Sequence, residues 1–171
     1  HERIRECVAA GIPYLYDPSQ QLARVSVEDI REGIDGAQMI VVNDYEAHLI
    51  EERTTLTEAD MVGHGKTLIV TRGKAGATIY ADGQRWDIPV FPEVVIVDPT
   101  GTGDAFRGGL LRGLALGLNW ELCGLIGALA ATYCLEQNGT QNHTFTPAEF
   151  VSRFREVFDD RGALNVILNG K

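Results

Sequence analysis

One stretch, Asp98 to Gly109, reads DPTGTGDAFRGG and constrains this chain more than any other. Four β-branched residues precede it, Val94-Val95-Ile96-Val97, and predict a buried strand; the segment from Ala105 to Leu118 that follows is apolar and helix-compatible. A strand that ends in a glycine-rich loop and enters a helix makes an anion site. Glycines let backbone N–H groups converge, and the helix N-terminus adds partial positive charge. Asp104 sets a carboxylate inside that nest, where it would repel a phosphate unless chemistry needs it there. General-base work on a hydroxyl that attacks phosphorus is such a need. The alternative is an acid that merely favours the first turn of a helix.

The rest of the chain alternates short strands with helices. Residues Ile4 to Ala10 have helical spacing and lead into a strand, Ile12 to Tyr16. Asp17-Pro18-Ser19-Gln20-Gln21-Leu22 then follows that strand's carboxyl end, the edge where open α/β sheets bind ligands. Gln20 and Gln21 are either substrate contacts or part of a solvated loop. Ser26 caps a helix that ends near Gly33 to Gly36, and Met39 to Val42 is the next buried strand. Asn43 N-caps the helix after it, with Glu46 one turn on. Gly65-Lys66-Thr67 imitates the end of a P-loop, but Asp60 stands where the first glycine belongs and a strand, Thr67 to Thr71, follows instead of a helix.

Thr71 to Gly76 is a tight turn into Ala77 to Tyr80, and Asp82-Gly83 is a hairpin turn into Gln84 to Ile88. Within the helix after the glycine-rich loop, Arg107 can reach an acid or a phosphate. Gly108 and Gly109 each cost about 1 kcal/mol against Ala in a helix interior, which fits a close approach to ligand or to another helix. Trp120 to Glu136 is a second apolar helix, followed by a loop, Asn138 to His143, in which His143 reads as solvated. Thr146-Pro147-Ala148-Glu149 starts the last clear helix with a capping box, and Leu164 to Lys171 is weakly patterned. The alternation predicts an α/β fold with a mainly parallel sheet and helices on both faces.

At 171 residues and 44% hydrophobic, the chain supports one core and a single α/β region, 1–171. A formal charge of -9 argues against nucleic acid as a partner. Cys7, Cys123 and Cys134 lie in apolar helical contexts and read as reduced core thiols, neither a disulfide framework nor a metal site. No leader is visible, and Leu122 to Leu135 is too short to span a bilayer, so the expected setting is cytoplasmic.

D-x-T-G-x-G-D-A-F, here Asp98 to Phe106, resembles the C-terminal signature of the ribokinase (PfkB) family of small-molecule kinases. The resemblance implies that Asp104 is the catalytic base and that Gly101, Thr102 and Gly103 line the anion hole. The family more often has Ala or Cys where this chain has Thr102. It implies that Asn43 and Glu46, as N-x-x-E, organise Mg²⁺ and its water shell, and that Thr71, Gly73 and Gly76, as T-x-G-x-x-G, lie against the phosphates of ATP. It further implies a monovalent cation, K⁺, beside Asp98 and Thr100. D-P-S-Q-Q-L and Gly139-Thr140-Gln141 resemble bacterial adenosine kinases, which places Gln20 and Gln21 with Asp104 on the acceptor and Gly139 beside the nucleotide.

Family members run to about twice this length, so the resemblance implies a C-terminal half, with the lid and the N-terminal half expected to be missing. The fragment alone is then expected to be inactive, with the N-terminal half as partner and a homodimer formed through the lid. The acceptor expected is a nucleoside, adenosine first, or a sugar as in ribokinase. Competing readings are a non-catalytic nucleotide-binding piece and an NAD-dependent oxidoreductase. Against the latter, Phe106 occupies a position where the dinucleotide fingerprint needs Gly.

Overall fold

The computed structural model describes residues 2–92 and 94–169. Its contacts gather into two compact units, His1–Gly73 with Ala77–Trp86, and Lys74–Gly76 with Asp87–Lys171.

The first unit carries α1 (Glu2–Ala10), β1 (Leu15–Tyr16), a 3-10 turn (Ser19–Ala23), α2 (Val27–Gly36), β2 (Met39–Asn43), α3 (Asp44–Thr54), α4 (Glu58–Val62), β3 (Thr67–Thr71) and β4 (Ala77–Ala81). The chain passes to the second unit within β5 (Gln84–Ile88). The strands lie in sequence order, β1-β2-β3-β4-β5. β1, β2 and β3 run parallel, with Leu15 opposite Met39 and Asn43 opposite Thr71. β4 turns back antiparallel to β3, and Asp82 and Gly83, both at positive φ, make the hairpin turn into β5. Ile40, Val41 and Val42 are all buried although successive side chains face opposite ways, so β2 is covered on both faces. Ile30, Ile34, Ile50 and Met61 from the helices close one side of that core over Ile40, Val42, Leu68 and Val70.

Local chemistry explains where the helices start. Ser26 Oγ accepts the Asp29 amide at 3.1 Å, and Asn43 with Glu46 and Thr57 with Asp60 form reciprocal capping boxes. Lys66 explains the false P-loop: its ammonium donates to the carbonyls of Ile34 (2.6 Å) and Asp35 (2.7 Å) at the end of α2. It is a helix-end cap, and burial lowers its pKa.

The second unit is built on α5 (Thr102–Ala115) and α6 (Trp120–Leu135), with α7 (Pro147–Arg155) and the short α8 (Asn165–Leu168). A Cβ at Gly109 would lie 2.8 Å from the Ile126 carbonyl oxygen and 2.9 Å from the Gly127 Cα. The two helices therefore meet backbone to backbone, which is why glycine is used there in spite of its helix cost. Gly108 meets nothing within 4 Å. Thr146 and Glu149 form the capping box of α7, as the sequence predicts.

Some expectations fail. Val94 to Val97 is not a strand; Val95, Ile96 and Val97 are 67%, 71% and 53% exposed. The amides of Val97 and Asp98 donate instead to the Leu135 carbonyl at the end of α6, at 2.9 and 3.2 Å, so the segment is tied to a helix end and not to a ladder. The C-terminal stretch holds more than weak patterning suggests: Leu164 is fully buried and its amide donates to the buried carboxylate of Asp160 at 2.8 Å. Cys7 is only half-buried, because α1 buries none of its residues, whereas Cys123 and Cys134 are core thiols and all three are free. Burial pushes the Cys123 thiol up to about 11, so it stays protonated and inert.

Candidate active site

In the second unit the Asp98–Asp104 loop is held from several sides. Gly101 is the N-cap of α5 at φ 82°, a conformation that favours glycine, and a Cβ there would lie 2.9 Å from the Thr140 side chain. Thr102 Oγ donates to the Pro99 carbonyl at 2.7 Å, so its hydroxyl braces the loop. The first bond of the helical ladder is Ala105 N–H to Gly101 at 2.9 Å. The amides of Gly103 and Asp104 precede that ladder and belong to the positive end of a 14-residue helix. Asp104, third residue of the helix, is 78% exposed, and its Oδ1 accepts from the Arg107 guanidinium one turn along.

Asp98 sits at the base of the loop. Its Oδ1 accepts the Thr100 amide and its Oδ2 the Gly139 amide, each at 2.9 Å. Thr100, through its side chain and its amide, and the Gly139 amide hold the Asp98 carboxyl below the usual carboxylate range. The buried Cys134 thiol approaches the Thr100 carbonyl at 3.5 Å. His143 departs from the solvated state expected of it: its Nδ1 is buried without a hydrogen-bond partner, and its ring stacks near Phe145.

In the first unit, three groups singled out in the sequence follow the carboxyl ends of three adjacent parallel strands. Gln20 and Gln21 are exposed on the 3-10 turn after β1, Asn43 ends β2, and Thr71 ends β3 directly opposite Asn43. Asn43 Oδ1 accepts the Glu46 amide at 2.7 Å and Glu46 Oε2 accepts the Asn43 amide at 2.9 Å. One carboxylate oxygen of Glu46, Oε2, is thus structural. After Thr71, Gly73–Ala75 forms a 3-10 turn, and Gly73 has open space beside its Cα. Gly76 belongs to the second unit, where its Cα backs closely onto the Ile88 carbonyl. Sequence reasoning missed the clamp under this turn: Arg72 binds both oxygens of Glu58, at 2.8 and 3.0 Å, and Tyr80 adds its hydroxyl at 3.2 Å. Only the pairing of charges 14 residues apart could have signalled it.

Residues 2–147 match the family described as pfkB family carbohydrate kinase. This chain belongs to that family. It is 32% identical over 141 residues to a nucleoside kinase of Methanocaldococcus jannaschii, covering 82% of this chain and 47% of that protein. A cytidine kinase of Thermococcus kodakarensis is 32% identical over 130 residues, covering 72% of this chain and 46% of its own length. The fold superimposes on a Burkholderia thailandensis nucleoside kinase in complex with ADP-inosine with a TM-score of 0.87 at 37% identity, over 91% of this chain and 49% of that one. The chain spans about half the length of the relatives it matches. The α/β fold with parallel strands and helices is the one those nucleoside kinases have. Phe106, buried against α6 beside Gly127, fills the position that a dinucleotide fingerprint would leave to glycine.

Proposed function

We propose that the natural protein carrying this chain is an ATP-dependent nucleoside kinase. One arrangement carries the reading: Asp104 projects into solvent from the first turn of α5, directly after the free-ended amides of Gly103 and its own N–H. The acceptor hydroxyl gives its proton to the Asp104 carboxylate while its oxygen bonds to the γ-phosphorus. The bond from that phosphorus to the β,γ-bridging oxygen breaks, and ADP leaves with the electron pair. Gly101, Thr102 and Gly103 cradle the transferred group through backbone dipoles that need no reorganisation. Thr71, Gly73, Gly76 and Gly139 border the nucleotide in this reading.

Asn43 and Glu46 fit Mg²⁺, which keeps most of its waters and needs few protein oxygens, and Glu46 Oε1 is available to a metal-bound water. When bound, the metal neutralises phosphate charge. Asp98 and Thr100 form the proposed K⁺ site, although each Asp98 oxygen already accepts an amide and a cation would share its remaining lone pairs. Gln20 and Gln21 are assigned to the acceptor. The other acceptor contacts, the lid and a homodimer through it are assigned to residues outside this chain, in a cytoplasmic setting.

The acceptor class rests on the relatives, named nucleoside and cytidine kinases, and on the similar structures in complex with inosine and ADP-inosine. Adenosine is our first choice of substrate, with inosine next. Phosphoryl transfer from ATP should be assayed with adenosine, inosine, cytidine and ribose, alongside calorimetric titration of ATP and NAD. Nucleoside turnover that falls about 10²-fold to 10⁴-fold in Asp104→Asn, with ATP affinity unchanged, is expected. Tight NAD binding without ATP binding, or near-native turnover in a folded Asp104→Asn, would overturn it.

A further inference from the structure

Asp104 is not alone at the head of α5. The guanidinium of Arg107 reaches back one turn to its Oδ1. The two ends of this pair are held very differently, since the Arg107 side chain is 24% exposed and that of Asp104 is 78% exposed. An exposed i,i+3 ion pair adds little to stability. The guanidinium also lies along the Gly103 face of the loop: a Cβ on Gly103 would come 3.5 Å from Nη1 of Arg107. An arginine fixed at one end thus grips a carboxylate that is otherwise in water, beside the amides of the anion hole.

We propose that Arg107 is the positioning residue of the base. This inference rests on the reading of Asp104 as that base. A carboxylate on a solvent-facing side chain rotates among several orientations, and a base is effective only when its oxygen points at the hydroxyl. Tying Oδ1 to Arg107 removes that rotation and leaves Oδ2 to take the proton. In the transfer step the acceptor O–H bond breaks toward Oδ2, the new O–P bond forms, and the β,γ-bridging bond breaks with its electron pair going to ADP. Arg107 forms and breaks no bond. It keeps its hold on Oδ1 throughout, and acts through Asp104 and not on the phosphate.

The test is a double-mutant cycle in the natural protein with ATP and the best nucleoside acceptor. Arg107→Gln is expected to lower kcat about 10-fold to 100-fold with KM for ATP within about twofold of wild type. Arg107→Lys, which keeps the charge but loses the planar grip, should recover part of that loss. In the Asp104→Asn background, Arg107→Gln should have no further effect. Multiplicative losses, or a loss confined to KM for ATP, would make Arg107 an independent phosphate ligand and overturn the proposal. Should Arg107→Gln fail to fold by circular dichroism, Arg107→Lys decides: a kcat loss that vanishes in Asp104→Asn supports the proposal, and one that persists overturns it. Near-native turnover in Asp104→Asn alone would instead refute the base itself.

Discussion

The carboxylate of Asp98 accepts the amide of Gly139, 41 residues further along the chain, at 2.9 Å. Its other oxygen accepts the amide of Thr100, so one side chain joins the loop that leads into α5 to the segment that leaves α6. Thr140, next to Gly139, is the residue against which Gly101 packs.

That bridge makes Asp98 a structural member of the site whether or not a cation binds. Asp98→Asn keeps one acceptor and turns an N–H donor toward one of the two amides. We expect about a 10-fold loss of kcat, milder than for Asp104→Asn, together with faster amide exchange at Gly139 and Thr140. Kinetics in potassium and in a bulky organic cation, with exchange measured by mass spectrometry, check it. Equal rates in the two cations would assign Asp98 to the bridge alone. Unchanged exchange in Asp98→Asn would remove the bridge from the explanation.

Gly108 and Gly109 are neighbours in α5, yet alanine should act on them with opposite sign. At Gly109 the new methyl meets the backbone of α6, and overpacking of about 1–3 kcal/mol exceeds the gain of about 1 kcal/mol in helix propensity. At Gly108 the methyl meets open space and only the gain remains. Thermal denaturation should place Gly108→Ala above wild type and Gly109→Ala below it, by a few degrees each. A stabilised Gly109→Ala would mean that α5 and α6 are further apart than described.

These two glycines also mark what the sequence could tell. Their cost in a helix was legible, as were the caps at Ser26, Asn43 and Thr146, the Asp82-Gly83 turn and the failure of Gly65-Lys66-Thr67 as a P-loop, because each depends on residues a few positions apart. Val94 to Val97 was misread for the converse reason. β-propensity says that a run fits a pleated sheet, but a strand needs a neighbour, and here the amides of Val97 and Asp98 donate to the Leu135 carbonyl. The place of Asp104 in the first turn of a helix was legible, whereas its pairing with Arg107 was open between an acid and a phosphate until the helix fixed the geometry. Asp160 was invisible, since an acid in a polar segment does not announce that it is buried.

Asp160 gives a pH prediction. Its carboxyl is lowered from an ordinary 3.8 to about 2, first by hydrogen bonds from Arg155, then by the amides of Leu164 and Gly162. A depressed carboxyl pKa means that the folded state releases this proton more readily than the unfolded chain. The group's contribution is therefore complete above about pH 4 and is lost as pH falls toward about 2. Arg155 is partly in solvent, so screening limits what this pair contributes. Chemical denaturation of wild type and Asp160→Asn across that window should show the difference narrowing as the pH drops. A difference that stays constant down to pH 2 would assign the loss to packing instead of charge.

The exposed run Val95-Ile96-Val97 bears on how this chain behaves among copies of itself. Uncharged β-branched residues in water are the raw material of pairing between molecules, one strand templating the next. The sequence brackets the run with Pro92 and Glu93 on one side and Asp98 and Pro99 on the other. Proline cannot donate to a growing ladder, and charge resists stacking. Asp98, besides its bridge, thus sets a charge at the end of this run, directly before Pro99.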